Sequence, residues 1–75
     1  MLANIGKKME LKCKMKQVRF RARMTQAQLS EKSGISISMI SSIENNHHHP
    51  SLVTVWKIAI ALNCRVDDLY YISKN

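Results

Sequence analysis

On the segment from Ser36 to Glu44, the residues Ile37, Ser38, Ser41 and Ser42 are of types that can read the edge of a duplex. Serine hydroxyls donate to or accept from several bases, and an exposed isoleucine can lie against a thymine methyl group. The segment offers no Arg, Asn or Gln for a bidentate contact to guanine or adenine. Direct readout should therefore be modest, with part of any preference carried by shape, deformability and water. The other suggestive cluster is His47, His48 and His49. Adjacent side chains in a loop diverge, and no cysteine or carboxylate stands at ligand spacing beside them, so no metal site is expected. Catalysis is not expected either. The histidine run lacks a nucleophile and an orienting acid in register, no glycine loop cradles a phosphate, and no cofactor is called for.

Charge supplies the partner for such a surface. The 75-residue chain carries a net charge of +7, and its distribution is uneven. Lys7, Lys8, Lys12, Lys14, Lys16, Arg19, Arg21 and Arg23 stand against Glu10 alone, whereas residues 24–75 hold four bases and four acids. A basic N-terminal third beside a neutral remainder is a one-sided footprint for a polyanion. Residues 1–10 lack periodicity and contain Asn4 and Gly6, so they read as a basic arm ahead of a single domain over 11–75.

The elements that hold these residues follow from local signals. Thr25 is an N-cap, and Gln28 three residues later can return a bond to the Thr25 amide, a capping box that opens a helix over 26–33. Gly34 stands where a helix ends in a left-handed residue. Ser36 is a second N-cap, and Ile40 and Ile43 turn a helix over 36–44 toward the core. Two short helices joined by a brief glycine turn form a helix-turn-helix, whose second helix is offered to the major groove. Around it the apolar rhythm predicts a helix over 11–22, with Leu11, Met15, Val18 and Ala22 inward. A further helix is predicted over 52–62, with Leu52, Val55, Ile58, Ala59 and Leu62 inward, and a short last one over 66–72 carrying Leu69.

From Met15 to Leu69 the chain resembles the phage repressor and Cro type of helix-turn-helix proteins, often called XRE-like. The resemblance rests on Val18-Arg19, Thr25-Gln26, Gln28-Leu29, Ser33-Gly34-Ile35-Ser36, Ile40-Ser41, Ile43-Glu44-Asn45, Pro50-Ser51, Val55, Ile58-Ala59, Leu62-Asn63 and Asp67-Asp68-Leu69. It implies an all-α, five-helix, lambda-repressor-like domain with the helix-turn-helix at helices 2 and 3. It also implies a phosphate contact by Gln26, a backbone contact by Asn45, and an ion pair between Arg19 and Glu44 that braces the recognition helix close to the DNA backbone. With the outer face of helix 3, the expected DNA-binding set is Arg19, Gln26, Ser36, Ile37, Ser38, Ser41, Ser42 and Asn45. Arg23 departs from the pattern, standing where the family usually has glycine or another residue tolerant of a left-handed turn. The last helix in such proteins often makes a two-fold interface, which assigns Tyr70, Tyr71 and Ile72 to a homodimer on an inverted-repeat operator.

Cys13 and Cys64 can form at most one bridge, and with no apolar run long enough to span a bilayer the expectation is two reduced thiols in a cytoplasmic protein. The functional expectation is a sequence-specific regulator of transcription, acting as a repressor on double-stranded DNA. The alternative is a protein-interaction module, such as an antitoxin that binds a partner protein and regulates its own promoter. No membrane contact or small-molecule ligand is indicated.

Overall fold

Four helices and a two-stranded ribbon make up the computed structural model, which describes residues 9–74. In chain order these are β1 (Met9–Cys13), α1 (Met15–Arg21), α2 (Gln26–Ser33), α3 (Ile37–Glu44), α4 (Leu52–Ala61), a 3-10 turn (Val66–Asp68) and β2 (Tyr70–Lys74). Met15, Leu29, Ile40, Ile43, Ile58 and Leu69 are fully buried, with Val55, Ala59 and Leu62 completing the core. One to three anchors from each helix thus converge on a single centre. Each of the larger side chains, from Val55 to Met15, stabilises the fold by about 1.5–3 kcal/mol relative to exposure.

The helix ends show how short helices are held at fixed angles. Ser51 accepts from the Thr54 amide to open α4. Beyond α1, α3 and α4 the residues Arg23, Asn46 and Asn63 take positive φ of 58°, 62° and 54°. In each case the next amide reaches back into the helix: Met24 to the Arg19 carbonyl, His47 to Ser42 and Cys64 to Ala59. These are Schellman closures, which satisfy the last carbonyls and turn the chain sharply. Asn tolerates the left-handed region through its short polar side chain; Arg has no such compensation.

The ribbon corrects the all-α, five-helix expectation. The helix predicted over 11–22 starts at Met15 instead, and residues 11–13 belong to β1. The last helix, predicted over 66–72, is a 3-10 turn followed by β2. The strands pair antiparallel with Leu11 opposite Ile72 and Cys13 opposite Tyr70. The Lys14 amide donates to the Leu69 carbonyl at 2.6 Å, tying the exit of β1 to the entry of β2. Leu11, Lys12 and Cys13 alternate as a strand requires, and Tyr70, Tyr71 and Ile72 are strand-favouring types. Each strand needs the ladder of the other, from the opposite end of the sequence, to satisfy its backbone. Of the arm expected over residues 1–10, Met9 and Glu10 are in β1, and residues 1–8 lie outside the described residues. Leu11, Ala22 and Leu52, expected inward, are all exposed.

Candidate nucleic-acid interface

The joint between α2 and α3 has its local hydrogen bonds made. The Thr25 side chain accepts from the Gln28 amide at 3.0 Å, and Gln28 Oε1 accepts from the Thr25 amide at 2.8 Å, closing the capping box. Gly34, at φ 76°, sends its amide to the Ser30 carbonyl. Ser33 Oγ accepts from the Ile35 amide, and Ser36 Oγ accepts from the Met39 amide at the start of α3. With Ile40 and Ile43 buried, the orientation of α3 is fixed. Ile37 is left 47% exposed, Ser38 is exposed, and Ser41 and Ser42 sit half-buried on its flanks.

Behind this surface lies a three-helix ion-pair network. Arg19 of α1 donates from Nε to Glu44 Oε2 at 2.6 Å and from Nη2 to Glu44 Oε1 at 3.0 Å, a bidentate fork that reaches the last residue of α3. Its Nη1 donates to the Met24 carbonyl at 2.9 Å. Gln26, first residue of α2, donates from Nε2 to the same Glu44 Oε1 at 3.0 Å. Burial pushes the Glu44 carboxyl up, but the bonds from Arg19 and Gln26, with the Arg19 charge, outweigh it and hold the group below its ordinary value. The side chains of Arg19 and Glu44 are only 6% and 2% exposed. One carboxylate therefore ties three helices together, and no described buried side-chain polar atom goes without a partner.

The remaining predicted residues fall around this centre. Asn45 is exposed beyond the end of α3 and donates to Ser41 Oγ at 3.4 Å, and Asn46 takes the left-handed closure. His47, His48 and His49 are exposed, and among the described residues there is no group of three His, Cys, Asp or Glu able to hold a metal ion. Nor is any described helix long and apolar enough to cross a membrane. Around the α2 start, Arg19, Phe20, Arg23, Gln26 and Ile37 line one shallow cleft of about 600 Å³.

The helix-turn-helix family profile matches residues 15–69, which take in all four helices and the turn. The chain belongs to the helix-turn-helix family of the phage repressor and Cro type. Within this family of DNA-binding transcription regulators it is 39% identical over 49 residues to the HTH-type transcriptional regulator SutR of Escherichia coli, covering 65% of this chain and 28% of that one. It is 38% identical over 53 residues to the immunity repressor protein of Bacillus phage phi105, covering 71% and 37%. The chain thus spans well under half the length of these two relatives. Against an uncharacterised HTH-type regulator of Archaeoglobus fulgidus it is 32% identical over 60 residues and spans 86% of that protein. Among solved structures it is similar to the restriction-modification controller protein C.AhdI of Aeromonas hydrophila. The TM-score there is 0.70 at 26% identity, over 72% of this chain and 82% of that one. C.Esp1396I, another such controller, gives 0.65 at 29% identity, over 68% and 67%.

This helix-turn-helix protein carries a second surface that sequence reading only partly located. Tyr70 packs against the core, and Tyr71 and Ile72 are exposed on β2. They line an open groove with Leu11 of β1 and with Leu52 and Trp56 of α4, which are 67% and 54% exposed. Leu52 falls here because it lies in the first turn of α4, at the edge of the buried stripe of Val55, Ile58, Ala59 and Leu62. Sequence reading also missed the bond from Gln26 to Glu44 and the position of Phe20. An exposed aromatic in a basic helix was the available signal for Phe20.

Proposed function

We propose that this helix-turn-helix protein is a repressor that binds an inverted-repeat operator as a homodimer. The observation that carries this reading is the outer face of α3: Ile37 and Ser38 are exposed to solvent while Ile40 and Ile43 anchor the same helix from behind. In this reading Ile37, Ser38 and Ser42 meet base edges, with Ser41 at the flank. Gln26 and Asn45 hold the backbone on either side. Ser36, its hydroxyl engaged as a cap, contributes from its outer edge. Arg19 acts mainly through the angle it imposes on α3, since nearly all of its surface is covered.

The dimer is assigned to the apolar groove of β2 and α4, with Tyr70, Tyr71 and Ile72 joined by Trp56 and Leu52. Exposed apolar residues gathered on one small protein are a liability unless covered, and a two-fold partner covers both copies at once. Two recognition helices would then lie about 34 Å apart, one turn of DNA. Selection from random duplexes tests this. The expected product is an inverted repeat with half-sites about 10 base pairs apart. Recovery of single half-sites would overturn the dimer, and recovery of no enriched sequence would overturn the operator.

A further inference from the structure

Phe20 lies outside the core, 59% exposed on α1, in a chain whose other large side chains mostly serve the core or the groove of β2 and α4. The guanidinium of Arg19 sits over its ring at 4.7 Å, and Lys16 Nζ lies 5.8 Å from the ring centre. The ring also helps line the cleft that holds Gln26 and Ile37, so it faces the same side as the starts of α2 and α3. An exposed aromatic that shares its cleft with the first residues of two helices, and has basic residues on its own helix, presents an apolar plate beside cations.

We propose that Phe20 is a DNA-backbone contact, its ring packing on the deoxyribose next to the phosphate received at Gln26, with Lys16 and Arg23 taking the flanking phosphates. The inference rests on the DNA-binding reading above. Sugar is the part of the backbone that an aromatic face can cover without losing hydration of charge, and the cations at hand match the phosphates on either side of it. The contribution is indifferent to base sequence. It is also indifferent to salt, because apolar packing releases no counterions, whereas each lysine or arginine on a phosphate steepens the salt dependence.

The test is a salt titration of binding to a mixed-sequence duplex by the full chain and three variants. F20A should weaken binding by about 3- to 10-fold at every salt concentration, with the slope of log affinity against log salt unchanged. F20Y should restore most of the loss. K16A should flatten the slope by about one. Thermal unfolding of F20A, followed alongside, establishes that the variant is folded at the assay temperature. If F20A binds as the parent does, or if its loss fades as salt rises, the ring does not touch the backbone and serves only to cover Arg19. A parent chain that binds no duplex overturns the DNA-binding reading itself, so the two failures are separable.

Discussion

Gln26 Nε2 donates to Glu44 Oε1 across 3.0 Å, joining the first residue of α2 to the last of α3. The glutamine is thus held with its carboxamide nitrogen inward, and its backbone amide lies in the first turn of α2, where helix amides are free to face an anion. Gln26→Glu would set a second carboxylate against Glu44 in place of a donor. Duplex affinity should fall for every sequence alike, with unfolding at lower urea concentration than for Gln26→Ala. Equal stability of the two variants would show that the bond to Glu44 is not maintained in solution.

Arg19 and Glu44 should be far less tolerant of truncation than any surface pair. Glu44→Ala leaves a buried guanidinium without its counter-charge, a loss of about 3–5 kcal/mol in unfolding free energy. Arg19→Lys should fail to rescue the site, because an ammonium cannot reproduce the two parallel bonds of the fork. By contrast, removing the exposed pair of Arg65 with Asp67 should change stability by less than about 1 kcal/mol. Urea denaturation of the three variants measures the ranking.

Acid should expose the same network. Because the folded Glu44 carboxyl is held below its ordinary value of 4.5, it binds its proton less readily in the fold than in the unfolded chain. Its stabilisation is complete above that ordinary value and is lost as pH falls through the lower, folded one. The stability gap between the parent and Glu44→Gln should accordingly be constant near neutrality and shrink below about pH 4.5. A gap that stays constant down to acid unfolding would show that the ionised carboxylate does not stabilise the fold.

Backbone strain gives a prediction of opposite sign. Arg23 holds a left-handed φ that costs an L-residue about 1–2 kcal/mol. Arg23→Gly should raise stability by about 0.5–1 kcal/mol after the entropy glycine loses on folding. Gly34→Ala should cost about 1 kcal/mol, and through φ alone, since a Cβ there meets no atom within 4 Å. Melting curves of both variants read the two signs.

The groove of β2 and α4 should govern assembly. Trp56→Ser and Ile72→Glu should shift the chain toward monomer in sedimentation velocity at micromolar concentration while leaving helix content intact. A parent chain that sediments as a monomer would contradict the assignment.

What the sequence disclosed and what it hid divides by range. The capping box of Thr25 and Gln28, the turn at Gly34 and the caps at Ser36 and Ser51 were legible because each is set by residues within four positions. The ribbon was hidden because Leu11 and Ile72 acquire strand geometry only from each other, and a short segment read alone gives no sign of a distant partner. The apolar rhythm that located Met15 and Ile58 also misplaced Leu11, which lies ahead of α1 in β1, and Leu52, which lies in the first turn at the edge of the α4 stripe, since periodicity marks a face without fixing its start or its edges. The pairing of Arg19 with Glu44 was expected from family resemblance rather than from spacing. The sharing of Glu44 with Gln26 required coordinates.

In the proposed complex the outward side chains of α3 choose the sequence. Selection from random duplexes, run in parallel on the parent chain, Ile37→Ala and Ser38→Ala, measures that choice. Each variant should relax or change the consensus at the same position in both half-sites, with the spacing between them retained. An identical consensus for all three proteins would contradict it.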